Sequence, residues 1–174
     1  MANGDSPLYH FFFFCCSLHD LLDNETMYCG GDIILQIMRD IAQGLRYLHS
    51  SKPPIVHGDL KARNILIDSR FRAKVADFGL SEKKKNGLTG TPFFMAPEYL
   101  RGKNYAPACD IYSVGMIMYE IYAREDPYKG EALMKVLRDV CDPSVNRRPR
   151  VPETMPQKMI DIMKKCWSAD PFYR

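Results

Sequence analysis

The 174-residue chain is 46% hydrophobic and 26% charged, and its formal net charge is +3. This composition suits one folded domain with a sizeable core and excludes a compositionally disordered chain. The net charge is small and the basic residues are scattered, so we expect no nucleic-acid partner.

Hydrophobic runs and cysteines also limit the class of protein. The longest uninterrupted apolar run, Phe11 to Cys16, is far shorter than the ~20 residues that span a bilayer. The first residues lack the lysine or arginine of a secretory signal peptide. The cysteines show no zinc-site spacing. We therefore expect no membrane span, reduced thiols and a cytoplasmic location, with the intracellular part of a longer receptor-like protein as the alternative.

The first half of the chain predicts one helix and a few short strands. Residues 1–16 are an atypical N-terminal segment whose FFFFCC run could be a strand, or sequence joined to a truncated domain. From Asp32 to about Ser50, apolar residues recur every three or four positions, which predicts a helix that Asp32 could cap. Three short runs then favour strands: 55–57, 65–67 and 74–76.

The second half predicts a loop followed by helices only. Residues 81–91 are polar, basic and glycine-containing, as in a loop. Residues 108–124 are apolar on nearly every side, which predicts a helix buried through the domain. Amphipathic helices are expected at 131–140 and 156–167. The predicted fold class is therefore mainly α with a few short β-strands (α+β).

The stretch HGDLKARN, residues 57–64, carries the groups that phosphoryl transfer needs. A loop that presents Asp59 to a hydroxyl, Lys61 to a phosphoryl group and Asn64 to a metal ion would supply positioning and charge neutralisation. Magnesium favours carboxylate ligands, and Asp77 in the following DFG sequence could provide a second acid.

Several segments together resemble the protein kinase family. HGDLKARN resembles its catalytic loop and ADFGLS its metal-binding segment. GTPFFMAPE resembles the end of its activation segment, ACDIYSVGMIMYE its central helix and CWSADPFYR its closing signature.

The resemblance implies the large (C-terminal) lobe of the kinase fold, with the small lobe essentially missing. No glycine-rich loop and no phosphate-anchoring lysine precede residue 17. We therefore expect residues 1–16 to lie near the hinge position and residues 17–174 to form a partial kinase domain that lacks the final helix.

The resemblance also assigns chemical roles. Asp59 and Lys61 would be catalytic, Asp59 by orienting the substrate hydroxyl and Lys61 by stabilising the transferred phosphate. Asn64 and Asp77 would hold Mg²⁺ against ATP, and Leu66 would lie beneath the adenine. A general-base role for His57 is the rival interpretation of this loop.

The remaining roles that the resemblance implies are structural or regulatory. Glu98 and Arg174 would form an ion pair, and Asp110 would hold the catalytic-loop backbone. His57 and Phe78 would align the loop by packing. Two threonines belong to the activation segment: Thr89 and Thr91.

The implied activity is transfer of the ATP γ-phosphate to serine or threonine hydroxyls of a protein substrate. Lys61 and Thr91 resemble serine/threonine kinases, whereas Arg63-Asn64 resembles tyrosine kinases, and this mixture is similar to the tyrosine-kinase-like branch. The alternative is a truncated, inactive kinase-like module that acts in protein-protein interaction. Gly58 stands where most kinases that are regulated by loop phosphorylation have arginine, so phosphate on Ser81 or Thr89 is not expected to be the main on-switch.

Overall fold

Three short strands form one antiparallel sheet in the computed structural model, which describes residues 14–27, 29–78, 92–103 and 106–174. The strands are β1 (Phe14–Ser17), β2 (Ile65–Asp68) and β3 (Ala73–Val75), with β2 in the middle. The helices in these ranges are α1 (Leu18–Asp23), α2 (Gly31–His49), α3 (Pro97–Leu100), α4 (Pro107–Ala123), α5 (Leu133–Cys141) and α6 (Gln157–Cys166). The architecture agrees with the predicted mainly helical class.

The FFFFCC run ends in a strand, which was one of its two interpretations. Cys16 pairs with Ile67 and Ser17 with Leu66, so β1 extends the sheet and crosses the predicted boundary at residue 16. Ser17 then starts α1 through a capping box. Its hydroxyl accepts from the Asp20 N–H at 3.2 Å, and the Asp20 carboxylate accepts from the Ser17 N–H at 3.0 Å.

The predicted helix from Asp32 to Ser50 is confirmed as α2, but its predicted cap is wrong. The N-cap residue is Gly30, and no side chain caps it. Asp32 lies inside the first turn instead, where a negative charge still interacts favourably with the helix dipole.

The predicted strand at residues 55–57 is also wrong, because its backbone donors have other partners. The Ile55 N–H donates to Leu48 O at the end of α2 (3.0 Å), and the His57 N–H donates to the Asp110 carboxylate (2.9 Å). The N–H groups of Ile55 and His57 are therefore not available for the hydrogen bonds of a strand ladder. The two other predicted strands are confirmed as β2 and β3.

Helix α4 runs through the middle of the packed helices, as its nearly uniform apolar sequence predicts. Most of its residues are buried, and it packs on α6 and α2. Gly115 lies at the α4–α6 contact. A Cβ added there would meet Cys166 Cβ at 3.1 Å, Trp167 N at 3.1 Å and Trp167 Cβ at 3.2 Å. The missing side chain lets the two helices approach closely.

We expect Gly115→Ala to lower the free energy of unfolding by about 1–3 kcal/mol, because backbone as well as side-chain atoms occupy the space that the methyl group needs. The matched control is Gly44→Ala in α2, where the closest atom is Val75 Cγ2 at 3.1 Å, on a side chain that can shift. Urea unfolding of both variants measures the effect. A Gly115→Ala variant as stable as Gly44→Ala would contradict the close-approach argument.

Arg124 joins the end of α4 to the segment after α1. Its backbone is left-handed (φ 52°), and its guanidinium donates to the carbonyl oxygens of Leu22 (2.7 Å), Asn24 (2.9 Å) and Met27 (3.0 Å). A planar group with five donors suits such a cluster of carbonyls. Arg124 thus holds α1 against the central helix.

The structure also bears on membrane spanning and on the cysteines. Across the described ranges, no helix combines the length and apolar character that crossing a membrane requires. Four of the described cysteines are free thiols: Cys29, Cys109, Cys141 and Cys166.

Candidate functional site

His57 lies at the centre of the predicted catalytic loop and is fully buried. Its Nε2 is 2.8 Å from Ala76 O, and its Nδ1 is 3.2 Å from the Asp59 N. A carbonyl can only accept, so we assign the proton to Nε2, which leaves Nδ1 to accept from the Asp59 N–H. Both ring nitrogens are therefore used in linking Asp59 to the segment before Asp77. This arrangement argues against the rival role of His57 as a general base.

Three of the predicted site residues lie together in the loop. Lys61 Nζ is 3.2 Å from Asp59 Oδ2, and both side chains are only partly exposed. The Asn64 amide Nδ2 donates to Asp59 O at 2.8 Å. The structure thus brings an acid, a cation and an amide to one short segment, with the backbone of Asp59 anchored on both sides.

Asp77 is connected to Asn64 through the backbone. The Ala76 N–H donates to Asn64 O at 2.9 Å, immediately before Asp77, whose own backbone is left-handed (φ 58°). The Asp77 side chain is exposed. Because Asn64 Nδ2 is bonded to the loop, Asn64 Oδ1 is the amide atom that could face a cation.

Phe78 does not have the packed position that was predicted for it. Its side chain is 55% exposed, directly after the left-handed turn at Asp77. His57 and Leu60, by contrast, are buried within the loop.

The Asp110 carboxylate holds the loop from beneath, on the first turn of α4. Oδ2 accepts from the His57 N–H (2.9 Å) and lies 2.8 Å from His49 Nε2, while Oδ1 accepts from the Gly58 N–H (3.1 Å). Asp110 is fully buried. Gly58 adopts φ 82°, a conformation that glycine reaches without strain.

Leu66 lies in the central strand next to the loop. It is partly buried and pairs with Ser17 of β1 and Lys74 of β3. The sheet therefore holds the residue that was predicted to lie beneath an adenine ring.

Glu98 and Arg174 form the expected ion pair. Arg174 Nη1 contacts Glu98 Oε1 and Nη2 contacts Oε2 at 2.9 Å, with both side chains almost fully buried. Burial acts to raise the pKa of Glu98, but the hydrogen bonds and charge of Arg174, together with hydrogen bonds from the Glu98 backbone and the Cys109 thiol, hold the pKa below its usual value. Arg174 also lies over the ring of Tyr112, at 5.2 Å from its centroid.

Thr89 and Thr91 lie outside the described residues, as does the predicted loop over residues 81–91. Their predicted place in an activation segment therefore stays a prediction.

The sequence did not reveal two parts of this region. His49 was assigned only to a helix, yet it contacts Asp110, 61 positions away. His19 and Glu120 are 101 positions apart and lie 3.0 Å from each other beside the loop. No local pattern reports such distant pairs, although a buried helix that carries both Asp110 and Glu120 is a signal that its acids have partners.

A family model described as the protein kinase domain matches residues 5–174. The chain is 39% identical over 162 residues to drkB of Dictyostelium discoideum, a protein named as a probable serine/threonine-protein kinase. The match covers 91% of the chain and 23% of that relative.

Two further relatives from Dictyostelium discoideum show similar coverage. The chain is 38% identical to drkA, also named as a probable serine/threonine-protein kinase, over 91% of the chain and 25% of the relative. It is 33% identical to shkA, named as a dual specificity protein kinase, over 80% of the chain and 28% of the relative. The chain thus spans about a quarter of the length of these curated relatives.

Proposed function

Because the chain belongs to the protein kinase family, we propose that its residues 57–77 carry out transfer of the ATP γ-phosphate to serine and threonine hydroxyls of a protein substrate. The observation that carries this proposal is the anchored loop. Asp59, Lys61 and Asn64 lie together, and His57 and Asp110 hold their backbone.

In the proposed reaction, Asp59 accepts or orients the proton of the attacking hydroxyl. Lys61, 3.2 Å from the Asp59 carboxylate, stabilises negative charge on the phosphoryl group. The loop orients these groups before the substrate arrives, so little reorganisation is needed during the reaction.

Asn64 and Asp77 are the proposed ligands of Mg²⁺, and Leu66 is the proposed contact of the adenine. An amide oxygen and a carboxylate are the hard oxygen donors that Mg²⁺ prefers. The hydrogen bond from the Ala76 N–H to Asn64 O keeps Asp77, the next residue, near Asn64. When bound, Mg²⁺ neutralises negative charge on the phosphates.

We further propose that the described residues form most of the large lobe of a kinase domain. The long helices, the buried α4 with Asp110 at its start, and the Glu98–Arg174 pair support this assignment. A cytoplasmic location is proposed with it, and the intracellular part of a receptor-like protein remains the alternative.

The test is incubation of the full chain with Mg²⁺, ATP and a generic protein substrate, followed by phosphoamino-acid analysis. We expect phosphoserine and phosphothreonine in the protein substrate. Phosphotyrosine alone would overturn the proposed specificity, and phosphorylation on all three residues would match the dual specificity in the name of shkA.

The second candidate function is an inactive kinase-like module that binds other proteins. Phe78 at 55% exposure favours it, because the DFG segment then lacks the packing that was expected to align it. A chain that binds no Mg²⁺-ATP and transfers no phosphate would support this candidate and exclude the first for this chain.

We predict that phosphorylation of Ser81 or Thr89 is not the main on-switch of the activity. Gly58 has no side chain to form the charge-assisted hydrogen bonds that an arginine makes with a loop phosphate. The measurement compares phosphatase-treated chain with the Ser81→Glu and Thr89→Glu variants. Activity that appears only in the glutamate variants would contradict the prediction.

A further inference from the structure

A second cluster of polar side chains lies beside the proposed catalytic loop but has no role in it. His19 of α1, Glu120 of α4 and Asp126 in the turn after α4 contribute to the wall of a cavity of about 400 Å³, which Lys61 and Arg63 also line. His19 is 6% exposed and Glu120 is 3% exposed. Two ionisable groups are thus buried at the edge of an open space.

Glu120 lacks a partner for half of its carboxylate. Oε1 lies 3.0 Å from His19 Nδ1, whereas Oε2 is buried and accepts no hydrogen bond from any described residue. A buried oxygen without a donor is costly, so this position favours a cation that the protein itself does not provide.

The surroundings of His19 determine which of its nitrogens could bind that cation. Nε2 lies 3.1 Å from the Asp23 carboxylate, so an N–H on Nε2 would donate to Asp23. The lone pair of Nδ1 then faces Glu120 at 3.0 Å and Asp126 Oδ1 at 4.0 Å. Many metal-binding histidines have this arrangement, with a carboxylate holding the ring nitrogen that does not bind the metal.

The spacing of the donor atoms suits a small ion. The donor atoms of His19, Glu120 and Asp126 all lie within 4.8 Å of one another. Ligands bound tetrahedrally at about 2.0–2.1 Å are about 3.3 Å apart, so only a modest movement is needed. Asp126 can make this movement, because its side chain is 56% exposed.

We propose that His19, Glu120 and Asp126 form a Zn²⁺ site, with Asp23 positioning the His19 ring and the fourth coordination position open toward the cavity. One imidazole and two carboxylates suit zinc, whereas Mg²⁺ is bound mainly through oxygen. The two carboxylates balance the charge of the ion, whereas the positive charges of Lys61 and Arg63 in the same cavity wall repel it. The site ties α1 to the central helix.

The test is a zinc titration of the full reduced chain in competition with a chromophoric chelator. Asp126→Asn and Asp23→Asn are the informative variants, since both side chains are largely exposed and their loss is compatible with folding. Asp161→Asn on the exposed face of α6 is the matched control.

We expect Asp126→Asn to weaken zinc binding by at least about tenfold and Asp23→Asn by about 10–100-fold, while the control binds like the unchanged chain. Bound Co²⁺ should show no thiolate charge-transfer band, which excludes binding by the cysteines. Zinc binding that is absent, or equally strong in Asp126→Asn, would overturn the proposal, as would a cobalt site formed by thiolates.

Discussion

Replacing Asp110 with alanine is expected to lower the free energy of unfolding by at least about 3 kcal/mol. The carboxylate faces three donors, the backbone N–H groups of His57 and Gly58 and the His49 ring. Asp110 is fully buried, so water cannot replace the lost acceptor, and each buried donor left without a partner costs about 1–3 kcal/mol.

The same substitution should also reduce phosphoryl transfer, because Gly58 directly precedes Asp59. Urea unfolding measures stability, and activity is measured below the unfolding transition. The control is Asp161→Ala, which removes an exposed carboxylate from α6. An Asp110→Ala chain as stable as this control would show that Asp110 does not hold the loop.

Replacing Glu98 with glutamine is expected to cost about 3–5 kcal/mol of stability, because it leaves the buried Arg174 guanidinium without its counter-charge. The chain offers a matched surface pair in Arg150 and Glu153, whose side chains are 87% and 86% exposed. Glu153→Gln should cost at most about 1 kcal/mol. Equal effects of the two substitutions would contradict a structural role for the buried pair.

The Glu98–Arg174 pair also gives stability a defined pH dependence. The folded pKa of Glu98 lies below its ordinary value of 4.5, so the unfolded chain takes up this proton first as the pH falls. The contribution of the pair is therefore complete above pH 4.5 and is lost progressively below it. In Glu98→Gln this part of the acid sensitivity should disappear.

The long helices could be predicted from sequence because their apolar residues repeat with the helical period or fill every side. Helix α2 and helix α4 were found within one or two residues of their predicted limits. Short strands were less predictable. The 55–57 run is as apolar as a strand, but its donors are taken by α2 and Asp110, a tertiary effect that no local pattern contains.

The loop chemistry was predictable because its residues are adjacent in sequence, and the structure places Asp59, Lys61 and Asn64 together. The supporting contacts were predictable only through resemblance, as for Asp110 and the Glu98–Arg174 pair. The His19–Glu120 contact was not found, because it depends on how α1 packs on α4. The exposed Phe78 differs from its predicted role for the same reason, since its environment depends on distant segments.

The most direct test of the proposed phosphoryl transfer compares Asp59→Asn with the unchanged chain and with Asp161→Asn. The amide retains the size of the carboxylate but cannot accept the hydroxyl proton, so we expect the rate to fall by about 10²–10⁴-fold at unchanged thermal stability. The Asp161→Asn control should keep the full rate. An Asp59→Asn chain that transfers phosphate to serine or threonine as fast as the unchanged chain would contradict the account.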